Sequence, residues 1–197
     1  NVIKGGSQLS MPWAGGLNHV QISDFDIDFD GDLDLFIFDI TSNNIRVYLQ
    51  EQNGGTPYYS LMYNAHTLFP TDIINKGVMV DYDNDGRKDL WTYGLSGLKV
   101  YRNIGDAING IQWQIEKDLV YSEYLTGLSP LLVASSDMPA ITDVDGDGDI
   151  DILTFHIGGE NVEYHQNQSM ELYGIPDSLV YELKNECWVF HIGIGHE

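Results

Sequence analysis

The sequence predicts an all-β fold built from three copies of a four-stranded antiparallel unit. Three observations predict it. One acidic loop recurs three times in fixed register, short apolar and aromatic runs flank every copy, and polar or glycine-bearing turns separate those runs. Composition agrees. Of 197 residues, 21 are glycine, 43% are apolar and 12% aromatic, enough to bury a core. Lysine and arginine together number 9, so the surface of an ordinary helical protein is missing.

The recurring loop reads D-x-D-x-D-G-x-x-D. The first copy is Asp26, Asp28, Asp30, Gly31 and Asp34; the second is Asp81, Asp83, Asp85, Gly86 and Asp89; the third is Asp143, Asp145, Asp147, Gly148 and Asp151. A hard divalent cation such as Ca²⁺ takes about six to eight oxygens at about 2.3–2.6 Å. Aspartates at positions 1, 3 and 5 of a tight loop aim at one centre, and the aspartate at position 9 closes the shell. Glycine at position 6 permits the sharp turn with positive φ. Position 7 offers a backbone carbonyl, from Asp32, Arg87 and Asp149. Three Ca²⁺ sites are therefore expected. Mg²⁺ suits so crowded a protein shell less well.

An EF-hand loop starts in the same way but needs a Glu at position 12 and helices on both sides. Position 12 here is Ile37, Thr92 and Thr154. The flanks read as buried strands instead: Leu35-Phe36-Ile37-Phe38, Leu90-Trp91-Thr92-Tyr93 and Ile152-Leu153-Thr154-Phe155.

The remaining strands follow in order. A strand leads into each loop, clearest at Gly77-Val78-Met79-Val80. After the loop strand comes a third strand bearing a tyrosine: Ile45 to Tyr48, Leu98 to Tyr101 and Val162 to Tyr164. Turns follow, such as Gln52-Asn53-Gly54-Gly55 and Asn103-Ile104-Gly105-Asp106. A closing strand is expected within Tyr58 to Tyr63, Ile111 to Tyr121 and Leu179 to Leu183. Units of about 60 residues with four up-and-down strands have the size and content of β-propeller blades.

A strand, this loop, then Asp-Leu or Asp-Ile and a tyrosine-bearing strand resemble the FG-GAP/VCBS repeat family, whose repeats build integrin-α-like β-propellers. The resemblance implies calcium in each loop, held by the side chains at positions 1, 3, 5 and 9 and the carbonyl at position 7. It also implies an incomplete arc of about three blades, since propellers close with about four to eight. Approximate blades are 1–70, 71–128 and 129–197, and the remaining blades of a parent propeller are expected partners. The stretches Trp13-Ala14-Gly15-Gly16-Leu17-Asn18 and Glu186-Cys187-Trp188 are similar to large secreted bacterial proteins with such repeats. In such relatives a second cysteine is expected near Tyr173-Gly174, where this chain has Ile175-Pro176. The start at Asn1 and the end at His191 to Glu197 suggest a piece of a longer parent.

Charge and motifs limit the function. With 30 acidic and 9 basic residues, the formal net charge is −21, which repels nucleic acid and anionic membrane alike. No apolar run is long enough to insert in a bilayer. Cys187 is the one cysteine, so no internal disulfide forms; it is expected to be a buried small apolar residue or, alternatively, a cysteine whose disulfide partner lies outside this sequence. The histidines at 19, 66, 156, 165, 191 and 196 form no zinc motif and read as surface or strand residues. Tyr58-Tyr59 and the tryptophans suit a sugar-stacking platform or, more simply, blade packing. The expected function is a calcium-binding, extracellular module that binds a protein or glycan, with structural calcium and no catalysis. The alternative is a scaffold propeller within a larger secreted enzyme.

Overall fold

A computed structural model describes residues 2–8, 15–159 and 161–187. Trp13, Ala14, Trp188 and the stretch His191 to Glu197 lie outside the described residues.

The chain is all-β, with one five-residue helix and one 3-10 turn among the described residues. A small hairpin, β1 (Ile3–Lys4) and β2 (Ser7–Gln8), comes first. The first large sheet runs β3 (Val20–Phe25), β4 (Asp34–Asp39), β5 (Asn44–Asn53) and β6 (Thr56–Met62), in that spatial order and antiparallel throughout. After the 3-10 turn at Ala65–Leu68 come β7 (Gly77–Val80), β8 (Asp89–Gly94), β9 (Gly97–Asn103) and β10 (Trp113–Lys117), again in simple order within one sheet. Such four-stranded meanders have the form of propeller blades.

The third sheet is larger than the sequence predicts. Strands β11 (Tyr121–Tyr124) and β12 (Gly127–Pro130) form a hairpin. Then β13 (Ala140–Thr142), β14 (Asp151–Phe155), β15 (Val162–Asn167), helix α1 (Ser169–Tyr173) and β16 (Tyr181–Asn185) follow. The order is β12-β11-β16-β15-β14-β13, and β11 pairs in parallel with β16. The added hairpin covers the edge that β16 would otherwise leave open, which a four-stranded blade does not do.

The described residues divide into two compact units. One comprises those of Asn1–Met79, Arg87–Thr92 and Tyr101–Glu116. Its core gathers Phe25, Phe36, Phe38, Val47, Phe69 and Leu90, with Phe25 and Phe36 edge to face at 6.1 Å between ring centroids. The period-2 alternation explains the selection: on β4, Phe36 and Phe38 share the face turned to this core. Gly77 lets β7 come close, because a Cβ there would stand 2.9 Å from the Phe38 ring. Edge strand β7 is also served by β3, whose Gln21 accepts the Gly77 N–H at 2.8 Å and whose Ser23 accepts the Met79 N–H at 3.1 Å.

The other unit comprises the described residues of Val80–Gly86, Tyr93–Val100 and Lys117–Glu197. Leu98, Val120, Leu131, Ile152 and Tyr181 are buried in it. Two expectations fail here and on β6. Cys187 is exposed, because it follows the last strand in a bend. Tyr58 and Tyr59 are also exposed and so do not serve blade packing; as neighbours on one strand they point to opposite faces and cannot form one platform. Trp91, by contrast, is buried. Among the described residues no helix is long and apolar enough to cross a membrane.

Candidate metal centres

Each acidic loop joins successive strands. Phe25 pairs with Asp34, so residues 26–33 connect β3 to β4; Thr142 pairs with Asp151, so residues 143–150 connect β13 to β14. Residues 81–88 run between β7 and β8.

The loops fold by the same internal hydrogen bonds. At position 1, one carboxylate oxygen accepts the N–H of the position-6 glycine: Gly31 to Asp26 at 3.0 Å, Gly86 to Asp81 at 2.9 Å and Gly148 to Asp143 at 3.1 Å. These glycines have φ of 92°, 86° and 102°, as the turn requires. At positions 3 and 5, carboxylates accept the N–H two residues on, for example Asp32 to Asp30 at 2.9 Å and Asp149 to Asp147 at 3.0 Å. Position 4 also has positive φ, at 63° for Phe29, 54° for Asn84 and 83° for Gly146.

Position 9 does more than face the loop. Asp34, Asp89 and Asp151 are almost completely buried. Asp34 accepts the N–H of Ile27 on one oxygen and of Gln50 on the other, at 3.0 and 2.8 Å. Asp151 does likewise with Val144 and Asn167, at 2.9 and 2.8 Å, and Asp89 accepts from Asn103 at 2.8 Å.

Three of the four motif carboxylates gather in each loop, with Asp30 and Asp89 outside every such group and Asp147 in a separate one. Ligand atoms of Asp26, Asp28 and Asp34 lie within 4.8 Å of one another, as do those of Asp81, Asp83 and Asp85 and those of Asp143, Asp145 and Asp151. A further group joins Asp145 and Asp147 to Glu171 of α1. Asp30 is engaged within loop one, where its N–H donates to Asp26. Of the position-7 residues, Asp32 is half-buried, Arg87 donates its Nε–H to the Asn103 carbonyl at 3.0 Å, and Asp149 is buried. The Asp149 carboxylate accepts the Met170 N–H at 3.0 Å.

Electrostatics show the strain of this crowding. Burial, then the charges of Asp30 and Asp26, raises the Asp28 carboxyl above its ordinary value. Burial likewise raises Asp34 and Asp151. Burial pushes Asp149 up to about 6, with Asp147, Asp151 and Glu171 adding to it. Asp24, just before loop one, is lowered instead, because Lys88 hydrogen-bonds to it. The donor set is all oxygen. Asp81 Oδ1 and Asp149 Oδ1 are buried with no hydrogen-bond partner among the described residues, which fits a hard cation. These groups can hold a metal ion.

Residues 26–92 match the family profile of the FG-GAP-like repeat. The chain carries an FG-GAP-like repeat. The match spans the first and second acidic loops, and the third loop repeats their motif and their position-1 and position-9 hydrogen bonds. Neither a curated protein nor a solved structure matches the chain.

Around the third loop, sequence reasoning missed three residues. Glu171 reaches it from α1, Tyr164 donates its O–H to Asp151 at 3.2 Å and to Asp145 at 3.3 Å, and Gln166 bridges Asp145 and Glu171. Tyr164 was legible as the recurrent tyrosine of the third strand. Glu171 had no signal, because nothing in the repeat announces the helix.

Proposed function

We propose that this FG-GAP-like protein is a calcium-binding β-propeller module that works outside the cell, binding a protein or glycan partner without catalysis. The carrying observation is threefold repetition of one hydrogen-bonded carboxylate loop. Ca²⁺ would neutralise the gathered charge of each loop. The chain's own residues do the rest: position 1 holds the turn, position 9 ties the loop to the third strand, and positions 3 and 5 supply further oxygens. Calcium is thus structural, fastening the strand-to-strand connections of each blade. Further blades of a parent propeller are natural neighbours for the terminal ones, blades being approximately 1–70, 71–128 and 129–197.

Thermal unfolding in chelator, in millimolar Mg²⁺ and in millimolar Ca²⁺ tests this. Ligand linkage predicts a melting temperature that rises with calcium concentration, and rises less with magnesium. Identical melting in all three would refute the calcium reading. Glycan-array and surface-protein binding, with and without calcium, tests the adhesive role separately.

A further inference from the structure

The buried Glu163 stands 12 residues beyond Asp151, on the next strand, and takes no part in the groups that gather metal-ligand oxygens. It sits on β15 with its side chain 10% exposed and lines a cavity of about 250 Å³. Tyr124 at the end of β11, Pro130 at the end of β12, Leu132 beyond it, and His156 and Ile157 from the β14–β15 turn form much of the remaining wall, with Thr126 and Ser129 beside them. All belong to the second compact unit.

Among the described residues nothing answers the Glu163 charge fully. Among the described residues its ionisable neighbours within 4.0 Å are two imidazoles, His156 Nε2 at 4.0 Å and His165 Nε2 at 3.4 Å. His165 is fully buried, its Nδ1 is 2.8 Å from Ser122 Oγ, and its Nε2 makes no hydrogen bond. Burial lowers His165 to about 4, so at neutral pH it brings no positive charge. Across the strand pair, Thr154 stands opposite Glu163, and its Oγ1 is also buried without a partner. Of Glu163, His165 and Thr154, Glu163 alone lines the cavity, and a buried carboxylate held only by neutral or distant imidazoles calls for a further partner there. A bound anion would be repelled. A neutral ligand would leave the carboxylate uncompensated in a partly dry site.

We propose that this cavity takes a positively charged amine, an ammonium or guanidinium, carried on an apolar stem. The charged head would hydrogen-bond the Glu163 carboxylate, while Tyr124, Pro130, Leu132 and Ile157 cover the methylenes. The volume is below the roughly 300–1,000 Å³ of larger ligand sites and suits one such side chain. Such a group is offered by a lysine or arginine of a partner protein, or by a small free amine. The net charge of −21 favours the approach of either. This inference goes beyond the proposed function and needs neither the ion nor the adhesive role.

The test uses the full 197-residue chain in saturating calcium, with His156, His165 and Tyr124 ring signals followed by NMR. Probes are Nα-acetyl-lysine methylamide, Nα-acetyl-arginine methylamide and n-butylammonium, with Nα-acetyl-norleucine methylamide as the uncharged control. The expected result is saturable shifts at Tyr124 and His156 from charged probes and none from norleucine. Glu163→Gln should weaken binding at least about tenfold. Ile157→Trp, at an exposed position, should block the cavity while keeping the carboxylate. Equal binding by n-butylammonium and the peptide probes assigns a free amine; binding by the peptide probes alone assigns a partner's side chain. Equal shifts with norleucine, unchanged affinity in both variants, or no saturable shift with any charged probe would overturn the proposal.

Discussion

Asp151 accepts the backbone N–H of Asn167 at 2.8 Å, tying the end of the third acidic loop to the far end of β15. The same tie joins Asp34 to Gln50 and Asp89 to Asn103, over separations of 16 and 14 residues, against 16 for Asp151 and Asn167. Position 9 is therefore a staple of the blade as well as an oxygen beside the loop. Its carboxylate answers N–H groups that the strand ladder leaves open.

The staple predicts a split between positions. Asp151→Ala leaves the Val144 and Asn167 N–H groups without their acceptor, each at about 1–3 kcal/mol. A loss of about 2–5 kcal/mol is expected even in chelator. Asp145→Ala, at an exposed position 3, should cost little in chelator and much more in calcium. Denaturant unfolding of both variants with and without calcium measures this; equal losses in chelator would contradict it.

Loop two should bind calcium most weakly. Arg87 and Lys88 lie within it, whereas loops one and three carry Asp32 and Asp149 at position 7, and loop three gains Glu171 from α1. Glu171→Gln should lower the affinity of loop three several-fold at low salt, with the effect shrinking as salt screens it. Site-resolved titration at low ionic strength checks both statements. Loop two filling first would disprove the ranking.

Phe29 has φ of 63°, where its counterparts are Asn84 and Gly146. A left-handed conformation costs most L-residues about 1–2 kcal/mol, and asparagine tolerates it better. Phe29→Asn should stabilise loop one by about 0.5–1 kcal/mol, partly offset by the half-buried ring. A lower melting temperature for the variant would show that the ring's packing outweighs the backbone term.

His165 sets a pH dependence. Its folded value is lowered to about 4 from an ordinary 6.5. The unfolded chain thus binds a proton that the folded chain refuses, and this residue's contribution is complete above pH 6.5 and lost as pH falls toward 4. The stability advantage of wild type over His165→Asn should shrink by about 2–3 kcal/mol between pH 7 and pH 4.5. Working with this difference removes the opposite contribution of the raised carboxyls, which stabilise the metal-free fold as they gain protons. An advantage that stays constant with pH would exclude the assignment.

The all-β class, the three acidic loops and the strands beside them were legible in the residues alone. Those features are local: a D-x-D-x-D-G spacing fixes a turn within a few bonds, and alternation along β4 fixes which phenylalanines face inward. Tertiary structure alone decided the rest. The β11–β12 hairpin beside β16, Glu171 above loop three, and Tyr124 beside Glu163 and His165 join segments distant along the chain. Periodicity reports which way a side chain points from its own strand, and it carries no record of which distant segment comes to meet it.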